Sequence, residues 1–276
     1  MKIAWILDSS SALSEKWKNH DDVYVLPMSV ITVDGGFKED IEINNEQLCD
    51  RLDKNEDLKT SQPIIGETVE LFKELKGKYD LGIPLLMSSN LSGTYYGTLQ
   101  AATIAEFELL PFDTLTGAAG IQFLLERGIE LSEAGKEPKE ILDVLDELAK
   151  KVELAVMVGS LERAKLSGRI SATHAFIGGL LKIKPIIEIR DGALEITAKI
   201  RTEKKALQHL VDKIESSLDP ESEIVYLMQT KALESAEEFE KMLQEKIKCR
   251  IEWRDLSSAI SAHAGLGTVA VSWLKA

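Results

Sequence analysis

Cysteine is nearly absent: Cys49 and Cys249 are the only two in 276 residues. Neither sits in a Cys-x-x-Cys pair or beside a histidine at ligand spacing, so they can build neither a structural zinc site nor a disulfide framework. Basic residues are also scarce, with 33 Lys and Arg against 46 Asp and Glu and a formal net charge of −13. A chain of that balance repels a phosphate backbone, which excludes nucleic acid as a natural partner. No apolar run approaches membrane-spanning length, and the opening residues reach Asp8 before a secretory core could form. The expectation is a reduced, cytoplasmic location with no integral membrane segment. Repeats and low-complexity tracts are missing too.

Several catalytic signatures are missing as well. There is no G-x-x-x-x-G-K-[ST] loop for nucleotide phosphates and no G-x-S-x-G nucleophile elbow. Gly265-x-Gly267-x-x-Ala270 matches a dinucleotide fingerprint on paper, but only six residues follow it, too few for the helix and the ribose-binding acid. His20, His174 and His209 fall at no metal-ligand spacing. Neither a metal nor a cofactor is expected.

What remains is 44% hydrophobic and 29% charged, enough to bury a sizeable core. Apolar runs at 2–7, 81–87, 109–112 and 154–158 read as buried strands, and they alternate with helical stretches at 66–76, 94–107, 117–134 and 138–150. Such alternation predicts a parallel α/β sheet. Residues 23–33 read as extended, followed by a hairpin turn at Asp34-Gly35-Gly36 and a short helix at 44–52. From Ser160 the texture changes. A short helix and a Gly-rich segment lead to strands at 184–189 and 194–200, joined by the turn Arg190-Asp191-Gly192-Ala193. A helix from Thr202, a strand at 223–228, a helix capped by Ser235 and Glu238, a strand at 250–254 and a terminal apolar run at 268–274 complete the chain. The expectation is an α/β protein of two domains, an N-terminal parallel sheet over 1–155 and a C-terminal mixed sheet over 156–276. The stretch 156–201 is locally positive, through Arg163, Arg169, Lys184, Arg190 and Arg201 among others.

Four polar segments stand out. Ser89-Asn90-Leu91-Ser92-Gly93-Thr94 joins a predicted strand to a predicted helix, where hydroxyls and free backbone N–H groups can hold an anion. Thr60-Ser61-Gln62-Pro63 precedes another helix in the same way. Ser167-Gly168-Arg169-Ile170-Ser171 lies in the basic stretch, and His263 sits among small residues. Each feature also has a purely structural explanation: an N-cap for the hydroxyls, an ion pair for Arg169, a backbone-bonded core imidazole for His263. Their recurrence at segment ends, with no general base beside any hydroxyl, favours a carboxylate clasp. The competing arrangement is a hydrolase or acyltransferase with Ser92 as nucleophile, His263 as base and Asp8 or Asp113 orienting it.

Taken in order, these segments resemble the DegV family, the fatty-acid-binding (FakB-type) subunits of bacterial fatty acid kinase. The likeness runs through Asp8-Ser9-Ser10, Thr60-Ser61-Gln62-Pro63, Ser92-Gly93-Thr94-Tyr95, Gly168-Arg169-Ile170-Ser171, Ile183-Lys184-Pro185, Asp191-Gly192, Lys199-Ile200-Arg201-Thr202 and His263 with Gly265 and Gly267. The chain departs from the family pattern at Ile64-Ile65, Ser167, Ala264 and Leu266. The resemblance implies two α/β domains with a long-chain fatty acid between them. Its carboxylate would be held by Thr60 or Ser61, by the Ser92-Gly93-Thr94 segment and by His263, with Arg169 and Arg201 at the mouth or facing a partner. It further implies no catalysis by this chain alone: a separate ATP-dependent kinase subunit phosphorylates the bound carboxyl to an acyl phosphate that feeds phospholipid synthesis.

Overall fold

The computed structural model describes residues 1–170 and 183–276. Its first layer is a parallel sheet of order β2-β1-β6, formed by β1 (Ile3–Asp8), β2 (Val23–Leu26) and β6 (Leu81–Leu85). β1 is buried along its whole length because both faces are covered. Helices α5 (Gly120–Glu133) and α6 (Pro138–Ala149) bury Leu124, Leu125, Ile141 and Leu145 against Ile3, Trp5 and Leu7. On the opposite face, α3 (Ile65–Leu75) and α4 (Thr94–Ala105) pack Val69, Phe72 and Ala101 against Ala4 and Ile6. A short helix α1 (Glu15–Lys18) follows β1, and its Trp17 joins the first of these cores.

A second, antiparallel sheet of order β4-β3-β5 consists of β3 (Ser29–Thr32), β4 (Gly35–Lys38) and β5 (Lys59–Ser61). The stretch 23–33 is therefore two strands in two sheets. Pro27, with no N–H to give a ladder, separates them. The hairpin turns at Val33-Asp34, since Thr32 pairs with Gly35. Helix α2 (Asn45–Asp53) packs Leu48 and Leu52 beneath this small sheet.

The third sheet has order β11-β10-β12-β7-β8-β9, from β7 (Val152–Met157), β8 (Lys184–Arg190), β9 (Ala193–Ile200), β10 (Ile224–Thr230), β11 (Arg250–Asp255) and β12 (Thr268–Leu274). Only β10 and β11 run parallel, so the sheet is mixed, as expected. One face is covered by α8 (Glu203–Ser217) and α9 (Leu233–Gln244), which bury Leu207, Leu210, Val211 and Phe239. The other face looks towards the first sheet. There α7 (Leu161–Leu166) and α10 (Ser258–Ala264) border it, and Phe123 of α5 stacks near Tyr226 of β10.

Three local readings are corrected. The run at 109–112 makes only an isolated bridge, Leu109 to Gly82, because Pro111 cannot extend the ladder. The strand at 154–158, assigned to the N-terminal sheet, pairs with β8 and β12 instead. Sheet membership thus changes at residues 151–152, and the expected boundary at 155/156 falls inside β7. Finally, α9 begins at Leu233 with Ala232 as its N-cap, and Ser235 bonds Glu203 rather than capping the helix.

Candidate ligand-binding site

A cavity of about 400 Å³ lies between the inner face of the third sheet and the loops at the C-terminal ends of the first. Alternate residues supply its apolar wall: Leu154, Val156 and Val158 from β7 and its end, and Ile187 and Ile189 from β8. Leu194 of β9 faces Ile189 across the hairpin. The opposing wall is Met87, Leu91, Gly117 and Ala118. The two walls are tied together at the β8–β9 turn, where Asp191 and Gly192 both have positive φ and form the tight reversal that the sequence announces. Ser88 Oγ donates to Gly192 O at 2.7 Å, and Asn90 Nδ2 donates to Asp191 O at 3.1 Å.

The polar groups gather at one end. β5 presents Thr60 and Ser61, paired with Val30 and Ser29 of β3. The last turn of α10 presents His263, whose Nε2 lies 2.7 Å from Thr60 Oγ1. At the start of α4, Ser92 Oγ lies 2.8 Å from Thr94 Oγ1 and accepts the Thr94 N–H at 3.3 Å. Of the first-turn N–H groups of α4, that of Thr94 is taken by Ser92 Oγ and the next two have no helical carbonyl to bond, so donors and hydroxyls gather at the start of this helix. Burial, reinforced by the positive charge of Arg169, lowers the His263 pKa to about 4. At neutral pH the imidazole is uncharged, and Arg169 supplies the local positive charge.

Thr60, Ser61, Ser92, Gly93, Arg169 and His263 all line this one cavity. Thr94 does not; it is buried behind Ser92 and steers that hydroxyl. Arg169 sits at the rim, its guanidinium reaching Leu91 O and Ser167 O. Arg201 is exposed beyond the far end of β9. At about 3.3 Å per residue that places it roughly 20 Å from Leu194, away from the mouth. Ser171, His174 and the Gly-rich segment lie outside the described residues.

The hydrolase arrangement is not assembled. The hydroxyl bonded to His263 belongs to Thr60, not Ser92. Asp8 is buried and accepts bonds from Ser10 and from the Met87 N–H at 2.9 Å. Asp113 accepts the N–H groups of Ser89 and Leu115, each at 3.2 Å. Both carboxylates brace loops. Among the described residues no cluster of His, Cys, Asp or Glu could hold a metal ion, and no helix is long and apolar enough to cross a membrane.

Two residues that position the site escaped the sequence reading, and a third, Gln62, was named there only as part of its segment. Glu39, in what looks like a solvated charge run, is buried: it accepts Ser9 Oγ–H and, at 3.0 Å, the Ala259 N–H at the start of α10. Burial raises its pKa to about 7. Gly159 lets the end of β7 pass so close to the α10–β12 loop that a Cβ would stand 1.8 Å from Leu266 O, while Ser160 N donates to Ala264 O at 2.9 Å beside His263. Gln62 also lines the cavity. The Gly93-x-x-x-Gly97 spacing opposite it was the available signal.

Comparison with known proteins is consistent with this architecture. The family model described as "Uncharacterised protein, DegV family" matches residues 2–276. A DegV domain-containing protein of Staphylococcus aureus strain MRSA252 is 30% identical over 274 residues, covering 98% of each chain. Among solved structures, a fatty acid binding DegV family protein of Streptococcus agalactiae superimposes with a TM-score of 0.91 at 28% identity, over 99% of each chain. DegV of Bacillus subtilis, described as a fatty acid binding protein, does so with a TM-score of 0.87 at 28% identity over 100% of each chain. With the family model matched along nearly the whole length, this chain belongs to the DegV family.

Proposed function

We propose that the chain binds a long-chain fatty acid in the cavity and presents its carboxylate to a partner ATP-dependent kinase, which converts it to an acyl phosphate. One observation carries the binding half: an apolar cavity whose polar groups are confined to a single end, formed by Thr60, Ser61, Ser92, Gly93 and His263. Its size falls in the range of about 300–1,000 Å³ common for small-molecule sites. The Streptococcus and Bacillus structures, both described as fatty acid binding, support the same ligand class. Burying an acyl chain of about fifteen methylene and methyl groups yields on the order of 12 kcal/mol before immobilisation costs, so the hydrocarbon supplies the grip. A buried carboxylate without partners costs several kcal/mol, which the hydroxyls, the neutral His263 and the α4 N–H groups offset while fixing the ligand's direction.

The presentation half rests on what the site lacks for catalysis. The chain carries no phosphate loop, and among the described residues the one hydroxyl–imidazole contact has no carboxylate bonded behind it. A binding subunit in the cytoplasm that leaves ATP and metal to a second protein fits that inventory. Organic extraction and mass spectrometry of the purified protein should release a fatty acid at close to one per chain. An empty protein that also takes up no added fatty acid overturns the binding half. ATP hydrolysis by the pure, fatty-acid-loaded chain contradicts the division of labour.

A further inference from the structure

The N-cap and first turn of α4 are glycine, Gly93 and Gly97, where they meet Gln62, the residue after β5. A Cβ built on Gly93 stands 2.6 Å from Gln62 Oε1, and one built on Gly97 stands 2.9 Å from Gln62 Nε2 and 3.2 Å from its Cδ. The Gln62 amide therefore lies flat in a slot that exists only because two residues one helical turn apart are glycine. Among the described residues no hydrogen bond engages that amide, although it is half-buried. It also borders two spaces at once: the apolar cavity on one side and, on the other, an outer hollow lined by Ile31, Lys38, Ile64 and Ile65. Neither glycine has a positive φ that would demand it, and Gly97 is inside a helix, where alanine is the better former. Close approach of Gln62 is what the glycines allow.

We propose that Gln62 binds the ligand carboxylate: seated in the Gly93–Gly97 slot, its amide closes the polar end of the cavity and, turned about its Cγ–Cδ bond so that Nε2 rather than Oε1 lies beside Gly93, offers an N–H to the head group. This rests on the reading of the cavity as a fatty-acid site and extends it to how the head group is held at the boundary with the outer hollow. Two side-chain pairs flank it, His263 with Thr60 and Thr94 with Ser92, and Gln62 lines the same cavity as Thr60, Ser92 and His263.

The test uses the full chain, delipidated, with palmitate and hexadecanol as probes and isothermal titration as the readout. Gly97→Ala should weaken palmitate binding about tenfold, the loss of one hydrogen bond to a charged group. Its thermal midpoint should not fall, because alanine favours the helix. Gln62→Ala should weaken palmitate binding by a similar factor and leave hexadecanol binding within twofold. The double variant should match Gln62→Ala, since with no amide to displace the extra methyl has nothing to move. If the two losses multiply in the double variant, the glycine serves helix packing and the inference fails. If wild type binds palmitate and both single variants stay within twofold of it, the inference fails while the fatty-acid reading stands. If wild type itself binds no palmitate, the underlying reading falls with it.

Discussion

Two ionisable groups at opposite ends of the same helix, the buried Glu39 and the half-buried His263, should pull the pH dependence of stability in opposite directions. Glu39 meets the start of α10 at Ala259, and His263 occupies its last turn. The Glu39 pKa is raised from 4.5 to about 7 by burial, so between those values the folded state holds a proton that the unfolded chain releases, and stability falls as pH rises. The His263 pKa is lowered from 6.5 to about 4, so across that window the unfolded chain holds a proton that the folded state lacks, and stability rises with pH. Each contributes at most about 1.4 kcal/mol per pH unit, or roughly 3 kcal/mol over its full window. Between pH 4.5 and 6.5 these two arms nearly cancel, and the slope left in the wild type is set by the other groups. The raised pKa of Asp8 adds to the falling side. The lowered carboxylates Glu106, Glu188 and Glu203 act below 4.5, outside this window. Glu39→Gln removes one arm, so relative to wild type its stability should climb from pH 4.5 to 6.5; His263→Gln removes the other, so relative to wild type its stability should decline over the same range. Urea unfolding at half-unit pH steps measures both. Parallel profiles for wild type and Glu39→Gln, within 0.5 kcal/mol throughout on the order of that method's precision, would show that Glu39 does not titrate as its burial requires.

Three further outcomes follow from the geometry. Gly159→Ala drives a methyl into the Leu266 carbonyl, a backbone contact that cannot swing aside, and should cost roughly 3 kcal/mol or more in urea unfolding. Thr60→Val and Ser92→Ala should each weaken palmitate binding about 10- to 100-fold while sparing hexadecanol; equal losses for both ligands would mean the hydroxyls shape the cavity rather than bind the acid. Arg201→Ala, beyond the far end of β9, should leave palmitate affinity unchanged, whereas Arg169→Ala at the rim should reduce it, more so at low salt.

Why some features were readable and others were not has a physical basis in range. The loops at Thr60 and Ser92 were legible because a hydroxyl before a helix is a local signal, confined to one turn. The hairpin at Asp191-Gly192 was legible because positive φ at consecutive positions demands those residue types. The apolar wall was not. Leu154, Val156 and Val158 alternate as a half-lined strand should, but their neighbours are also buried, so the period of two is erased. For the same reason the run at 154–158 could be placed in the wrong sheet: a continuously apolar strand does not encode its partner. Glu39 was invisible because burial of a lone acid depends on Ser9 and Ala259, 30 and 220 residues away.

The amino-acid sequence by itself determined the class of fold, the positions of the helix-start loops and the stock of polar groups available, all set by propensities and spacings within a few residues. Only the tertiary structure decided which of those groups meet: His263 with Thr60 across 203 residues of chain, Gln62 with Gly93 and Gly97, and Arg169 but not Arg201 at the rim. The reason is that local propensity acts through neighbouring backbone, whereas a binding site is made by long-range packing of buried surfaces, and that packing is settled only when three sheets close on one another.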